Sequence, residues 1–326
     1  MEAGSGRAIL ENINYLSPVK PYHHIVAAVD FTPSCLHALR EAVRQASLNH
    51  AALTTVHVMD ERLVEELKRA LSTSEASIRA EWEAKLRKFV ESLDAGSSRS
   101  VKTEVRVGRP YAELMDACKA AEADLLVMGA QGSGAEASRV GAVAAKCIRN
   151  SPIDVLVVRH NAEPPFKQVL ACVDFSDNAG KAVTQALQFA AADKADLRCL
   201  FVYQSTMSMA LDYGGFIPPL PQANADNEAL SHWQKELEQF VAPLAHGSGV
   251  PVKNVVAEQI NIRDAILNDV QRNHIDLVVL GTRGKSSVRH LLIGTTAETI
   301  IHNAPCSILA VKLDPGEGEA EAPSKL

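Results

Sequence analysis

Nothing in this chain marks it for a polyanion or a bilayer. Its 33 Lys and Arg are outnumbered by 39 Asp and Glu, for a net charge of -6, and the basic residues are scattered singly. That pattern leaves no electrostatic footprint for nucleic acid or an anionic membrane surface. No apolar run approaches the roughly 18 residues of a spanning helix. The leader, Met1 to Pro21, carries Glu2 and Glu11 and lacks the apolar core of a secretory signal. Six cysteines (Cys35, Cys118, Cys147, Cys172, Cys199 and Cys306) stand apart with no CxxC or zinc spacing, so they read as buried free thiols of a reducing compartment. These absences predict a cytoplasmic protein with no nucleic-acid or membrane partner.

What is present is a chain of 326 residues, 47% of them hydrophobic, enough for about two domains with real cores. It contains itself twice. Ile25 to Asp30 (IVAAVD) recurs as Val169 to Asp174 (VLACVD), each an apolar strand ending in an acid. Trp82, Leu86, Phe89, Val90 and Leu93 recur 151 residues later as Trp233, Leu237, Phe240, Val241 and Leu244. The three- and four-residue spacings put each set on one helical face, read as core. Each repeat predicts five strands alternating with four helices, hence parallel βαβ units and an α/β fold of two tandem doubly wound open parallel-sheet domains. The predicted divisions are a leader over 1–22, domains over 23–160 and 166–312, and a tail over 313–326 too poor in apolar residues to fold. Ser205 to Asn227 reads as a long insertion, a lid or partner surface or a tether. His23 and His24, just before the first strand, are expected to cap the sheet edge.

The stretch Asp276 to Glu298 concentrates the chemistry. An apolar strand stops at Gly281, and glycines and hydroxyl residues follow. Gly281 and Gly284 would let backbone approach a ligand, and Gly294, Thr295 and Thr296 would open a helix whose free amides attract phosphate. A plain turn is the alternative. Gly284, Lys285 and Ser286 mimic the end of a Walker A motif, but Val279 stands where that motif needs glycine, which excludes a P-loop NTPase. Open parallel sheets bind ligands beyond the carboxyl ends of their strands at the topological switch point, and Asp174 and Gly281 are placed to share such a crevice.

These residues resemble the universal stress proteins, here in tandem form. Val173, Asp174 and Ser176 match the family's opening motif, and Gly281, Gly284, Gly294 and Thr295 match its Gly-x2-Gly-x9-Gly-Ser/Thr loop. The resemblance implies an adenine nucleotide alpha hydrolase-like fold of five strands per domain, repeats paired through their last strands, and ATP as ligand, possible with magnesium. It gives Asp174 the role of the acid near the nucleotide and backbone at Val202 that of the adenine edge. Gly281, Gly284, Gly294 and Thr295 become phosphate ligands, with Arg283 a charge partner; Ser176 and Thr296 complete the set. A helix N-cap is the alternative for Asp174, and His290 within the loop is a further possible phosphate contact.

The first repeat departs from the pattern. Eight residues, not nine, separate Gly132 from Gly141, Ala142 replaces the hydroxyl residue, and Gln131 replaces the arginine. Losing several contacts of about 1 to 2 kcal/mol each predicts a degenerate first site, despite Asp30 and Thr32. The second repeat departs too: Ile260, Asn261 and Ile262 follow its third strand where the first has Gly108 and Pro110. No catalytic constellation, metal-ligand cluster or Rossmann fingerprint is present. The leading expectation is a nucleotide-dependent stress-response regulator whose partners are an adenine nucleotide and a second copy or another protein. The alternatives are a nucleotide-free pseudo-dimeric scaffold and a slow ATPase or phosphotransfer enzyme.

Overall fold

The computed structural model describes residues 21–93, 101–132, 140–159, 164–204, 222–282 and 294–313. The first repeat runs β1 (His24–Ala28), α1 (Pro33–Asn49), β2 (Ala52–Met59), α2 (Glu61–Leu71), α3 (Glu75–Glu91), β3 (Lys102–Val107), α4 (Pro110–Ala120), β4 (Leu125–Gly129), α5 (Ala142–Asn150) and β5 (Asp154–Val158). The second runs β6 (Gln168–Val173), α6 (Asp177–Asp193), β7 (Asp196–Tyr203), α7 (Gln222–Ala245), β8 (Val252–Glu258), α8 (Ile262–Arg272), β9 (Leu277–Gly281), α9 (Thr295–Asn303) and β10 (Ser307–Val311). Most of the leader, the tail, and Ser205 to Pro221 of the insertion lie outside the described residues.

Two expectations need correction. Among the described residues the first repeat has five helices rather than four, because Asp60 caps α2 by accepting from the amide of Arg62 and Val64 docks it on the core. Residues 222–227, assigned to the insertion, are the first turns of α7.

The ten strands form one sheet in the order β3-β2-β1-β4-β5-β10-β9-β6-β7-β8. Every neighbouring pair is parallel except β5 and β10, which run antiparallel with Leu156 opposite Leu309. The repeats therefore join through their last strands about a pseudo-two-fold axis. These two strands, DVLVV and SILAV, are buried at every position, while the outermost strands β3 and β8 carry Lys102, Arg106 and Lys253. His24 lies inside β1, between β2 and β4, and its Nε2 meets Thr54 Oγ1 at 2.9 Å; it does not cap an edge.

Alternate strand residues feed two cores, one on each face. Ile25, Ala27, Leu309 and Val311 join α1, α2, α3, α6 and α7; Val26, Ile308 and Ala310 join α4, α5, α8 and α9. Both cores run unbroken across the seam between repeats.

Polar contacts cross the seam as well. After β5, the Arg159 guanidinium reaches the carbonyl of Ala304 at the end of α9 at 2.5 Å; after β10, Lys312 Nζ reaches the carbonyl of Ile148 near the end of α5 at 2.6 Å. Each repeat thus supplies a cation to the negative end of the other's last helix. On the opposite face Arg44 of α1 holds Glu41 and reaches across to Asp193 of α6, which also accepts the amide of Phe166 at 2.8 Å. Arg149 of α5 pairs with Glu298 of α9.

Candidate functional site

In each repeat the chain winds outward from its first strand to one side, then returns to build the fourth and fifth on the other. The switch point lies between β1 and β4 in the first repeat and between β6 and β9 in the second. Asp30 and Asp174 follow β1 and β6; Gly129 and Gly281 end β4 and β9. Sequence reasoning placed Asp174 and Gly281 at one crevice, and the strand order brings them there.

The turn at Asp174 is built by a strained phenylalanine. Phe175 has φ 59° and Phe31, its equivalent, φ 61°, a left-handed conformation disfavoured for a bulky residue. Surrounding rings hold it. Phe175 lies 4.6 Å from Phe201, 5.5 Å from Phe240 and 5.9 Å from Trp233. Phe31 lies 4.9 Å from His57, 5.3 Å from Phe89 and 5.7 Å from Trp82, with the Lys85 ammonium 4.3 Å above it. The tryptophans expected in the core are therefore half-buried members of these clamps, while Leu86, Val90, Leu237 and Val241 are fully buried.

With the phenylalanine reversed, the acid faces the next helix. Asp174 Oδ1 accepts from the amide and hydroxyl of Ser176 at 3.0 and 2.5 Å, and Ser176 Oγ accepts from the amide of Ala179 at 3.1 Å. Ser176, not Asp174, is the N-cap of α6, and its hydroxyl is fully committed as donor and acceptor. Asp174 is half-buried, and its Oδ2 takes no hydrogen bond among the described residues.

On the loop side the two glycines differ. A Cβ on Gly281 would lie 2.9 Å from the buried Asn178 side chain, so glycine there lets α6 pack against the end of β9. Gly294 has φ -64° and ψ 144°, open to any residue, and an added Cβ would meet no described atom within 4 Å. It is the N-cap of α9 with no side-chain cap bond, so the amides of Thr295 and Thr296 begin a helix uncapped. Gly294 is tied to the strand end by its amide, which donates to the carbonyl of Thr282 at 3.3 Å. Arg283, Gly284 and His290 lie outside the described residues.

The first repeat ties its glycine to the strand end in the same way. Gly141 donates to the carbonyl of Ala130 at 2.7 Å, and a Cβ there would lie 3.5 Å from the amide of Gly132. Asp30 Oδ1 accepts from the amide and hydroxyl of Thr32 at 3.0 and 2.6 Å, as Asp174 does from Ser176, and a Cβ on Gly132 would lie 3.4 Å from Asp30 Oδ2. Gln131, where the second repeat has Arg283, is only 8% exposed. His57 stands in for Phe201; its Nδ1–H donates to the carbonyl of Val29 at 2.7 Å, and burial lowers its pKa.

At the second-strand ends, Val202 is buried and its backbone is paired with Ala257 of β8. Tyr203 ends the strand, its carbonyl accepting from Gln259 at 3.1 Å, so backbone free of the ladder begins at Gln204. Sequence reasoning missed Gln204, whose Nε2 reaches the carbonyl of Ile260 at 2.5 Å. The bond from the Gln259 amide to the Tyr203 carbonyl has its counterpart in the first repeat from the Gly108 amide to the Met59 carbonyl at 3.0 Å, which makes Gln259, not Ile260, the equivalent of Gly108. The φ of 154° at Gly108 favours glycine. Asn261 replaces Pro110 as a helix-starting device by accepting from Arg263 and Asp264.

Among the described residues no three His, Cys, Asp or Glu side chains gather to hold a metal, and no helix is long and apolar enough to cross a membrane. All six cysteines are free thiols; burial pushes Cys35 up to about 11 and the other five up to about 12.

Comparison with known proteins agrees with the duplication. The profile of the universal stress protein family matches residues 21–159 and again 165–312. A universal stress protein of Mycobacterium tuberculosis is 26% identical over 304 residues, spanning 88% of this chain and 96% of that protein. One from Methanocaldococcus jannaschii is 26% identical over 152 residues, 47% of this chain and 85% of its own length. Among solved structures, a universal stress protein from Archaeoglobus fulgidus covers 89% of this chain and 98% of its own, with a TM-score of 0.59 at 16% identity. A putative one from Pseudomonas aeruginosa gives 0.63 at 15% identity, over 90% of this chain and 95% of its own. Two switch-point crevices on one sheet, each inside a stretch that the profile recognises, make this chain a tandem member of the universal stress protein family.

Proposed function

We propose that the second repeat binds an adenine nucleotide, ATP in the first instance, and that the chain is a cytoplasmic, nucleotide-dependent stress-response regulator with a degenerate first site. The reading rests on the contrast between two loops on one scaffold. Both repeats set an acid at the switch point and start the following helix with uncapped amides at a glycine, but only the second has nine residues between its loop glycines, Thr295 after Gly294 and an arginine at 283, where the first has eight, Ala142 and Gln131. Helix amides and a nearby hydroxyl suit phosphate, and a lone carboxylate suits ribose hydroxyls or a magnesium ion carried by the nucleotide. In this reading Thr295, Thr296 and Gly294 hold phosphate with Gly284 and Arg283, Asp174 faces the sugar, and backbone at the end of β7, from Val202 to Gln204, borders the base. Ser176 acts through Asp174, and Gly281 keeps α6 in place.

Equilibrium dialysis with ATP on the wild type, Gly294→Val and Gly141→Val tests it. Both glycines have backbone angles that valine adopts, so neither substitution strains the backbone at its own position. The expected result is one ATP per chain, lost by at least tenfold in affinity in Gly294→Val and retained in Gly141→Val. No binding to the wild type overturns the proposal, and loss confined to Gly141→Val moves the nucleotide to the first repeat. Phosphate release that vanishes with Gly294→Val would make the protein a slow ATPase. A regulator with no reaction of its own acts through a second copy or another protein, and sedimentation with and without ATP registers the former.

A further inference from the structure

The seam between the repeats is nearly symmetric in backbone and asymmetric in charge. Counted from their capping residues Thr32 and Ser176, Arg44 of α1 corresponds to Gln188 of α6, and Asn49 corresponds to Asp193. The correspondence holds in the bonds: Asn49 Oδ1 accepts from the amide of Tyr22 as Asp193 Oδ2 accepts from that of Phe166. Counted from Gly141 and Gly294, Arg149 corresponds to His302, and Ala145 to Glu298. Among the described residues, each ion pair that crosses the seam thus joins a charged residue of one repeat to a charged residue of the other, and the equivalent of each is neutral or a histidine.

A two-fold pairing of either repeat with another copy of itself would scatter these charges. Two second repeats would set each Asp193 against Gln188, leaving a carboxylate with no exposed side-chain surface and no guanidinium. Their Glu298 side chains would meet His302. Two first repeats would set Arg44 against Asn49 and Arg149 against Ala145. By contrast, the backbone strand pairing and the reciprocal helix-end contacts of Arg159 and Lys312 would be available in all three pairings, because both repeats carry a cation there. The common elements supply adhesion, and the ion pairs supply discrimination.

We propose that the seam is heterospecific: each repeat is built to take the other repeat, and not a second copy of itself, as its strand partner. The partner surface along β5 and β10 is therefore reserved for the other repeat, and self-pairing of like repeats between chains is disfavoured.

Cutting the folded full-length chain at a protease site placed within residues 160–163 tests this. The cut protein is taken through urea and back, so that pairing is chosen afresh, and native mass spectrometry counts the species. Only one-to-one mixed pairs are expected. Self-pairs of either repeat approaching the statistical share would overturn the proposal. A variant with each seam charge exchanged for its equivalent's residue (Arg44→Gln, Asp193→Asn, Arg149→His and Glu298→Ala) is expected to release self-pairs at least tenfold more abundantly. If that variant still gives mixed pairs alone, the ion pairs are not the source of specificity and the proposal falls. The uncut variant supplies a second readout by light scattering: a concentration-dependent doubled mass beyond that of the wild type is expected, through exchange of repeats between chains, and an unchanged mass counts against the proposal.

Discussion

Glu41 and Gln185 occupy the same position in the two repeats, yet only the first ionises. Glu41 is wholly buried, and burial raises its pKa above 4.5 despite its bonds to Arg44 and Gln45. A carboxyl group raised in the folded state contributes its full stability below 4.5 and loses it as pH rises through the raised value. The stability of the wild type relative to Glu41→Gln is therefore expected to fall across that window and to be flat on either side; urea denaturation at a series of pH values measures it. A rising difference would mean that Arg44 outweighs burial. At this scale little was legible in the sequence. Glu41 reads as an ordinary helix-surface acid, because its second neighbour, Asp193, is reached only through Arg44 and lies in the other repeat. Asp174 was legible as an acid at a strand end, but the capture of its Oδ1 by Ser176 was not, since a cap and a ligand residue look alike in sequence.

Phe175 shows how an element sets a residue. Left-handed backbone at a bulky side chain persists only where the surroundings over-determine it, and here β7 and α7 supply the rings that do so. Phe175→Ala is expected to cost about 2 kcal/mol, short of the range for a fully buried phenylalanine because the ring is half-buried. It should also weaken ATP binding, since Asp174 loses its fixed turn; Phe31→Ala should cost similar stability and leave binding unchanged. Thermal denaturation paired with dialysis checks both. Helix and strand order was legible because the apolar periodicities are strong: the face of Leu86 and Val90 in α3 recurs as Leu237 and Val241 in α7, and all four are buried. Helix α2 was legible in principle, since Leu63, Val64, Leu67 and Leu71 recur at helical spacing, but its face is shallow: only Val64 is fully buried, and Leu63 and Leu71 stay exposed.

Across the whole molecule, both cores cross the seam without interruption, so neither repeat can open without exposing the other. The chain is expected to unfold in one cooperative transition with equal calorimetric and van't Hoff enthalpies; two resolved transitions would contradict the shared cores. The joining of the last strands was foreseen from family resemblance, and the uninterrupted apolar run of β5 and β10 agrees with it, but the cations that cross the seam have no local signature. The aromatic clamps carry one more consequence. The chain has two tryptophans, one in each repeat at the same place: Trp82 is stacked on the His57 imidazole at 4.8 Å, and Trp233 lies among phenylalanine rings with Phe201 at 4.9 Å. The protein thus carries an optical probe beside each crevice without any added label; each has an imidazole neighbour, His57 for Trp82 and His232 at 5.0 Å for Trp233, so replacing one tryptophan with phenylalanine separates the emission of the two crevices.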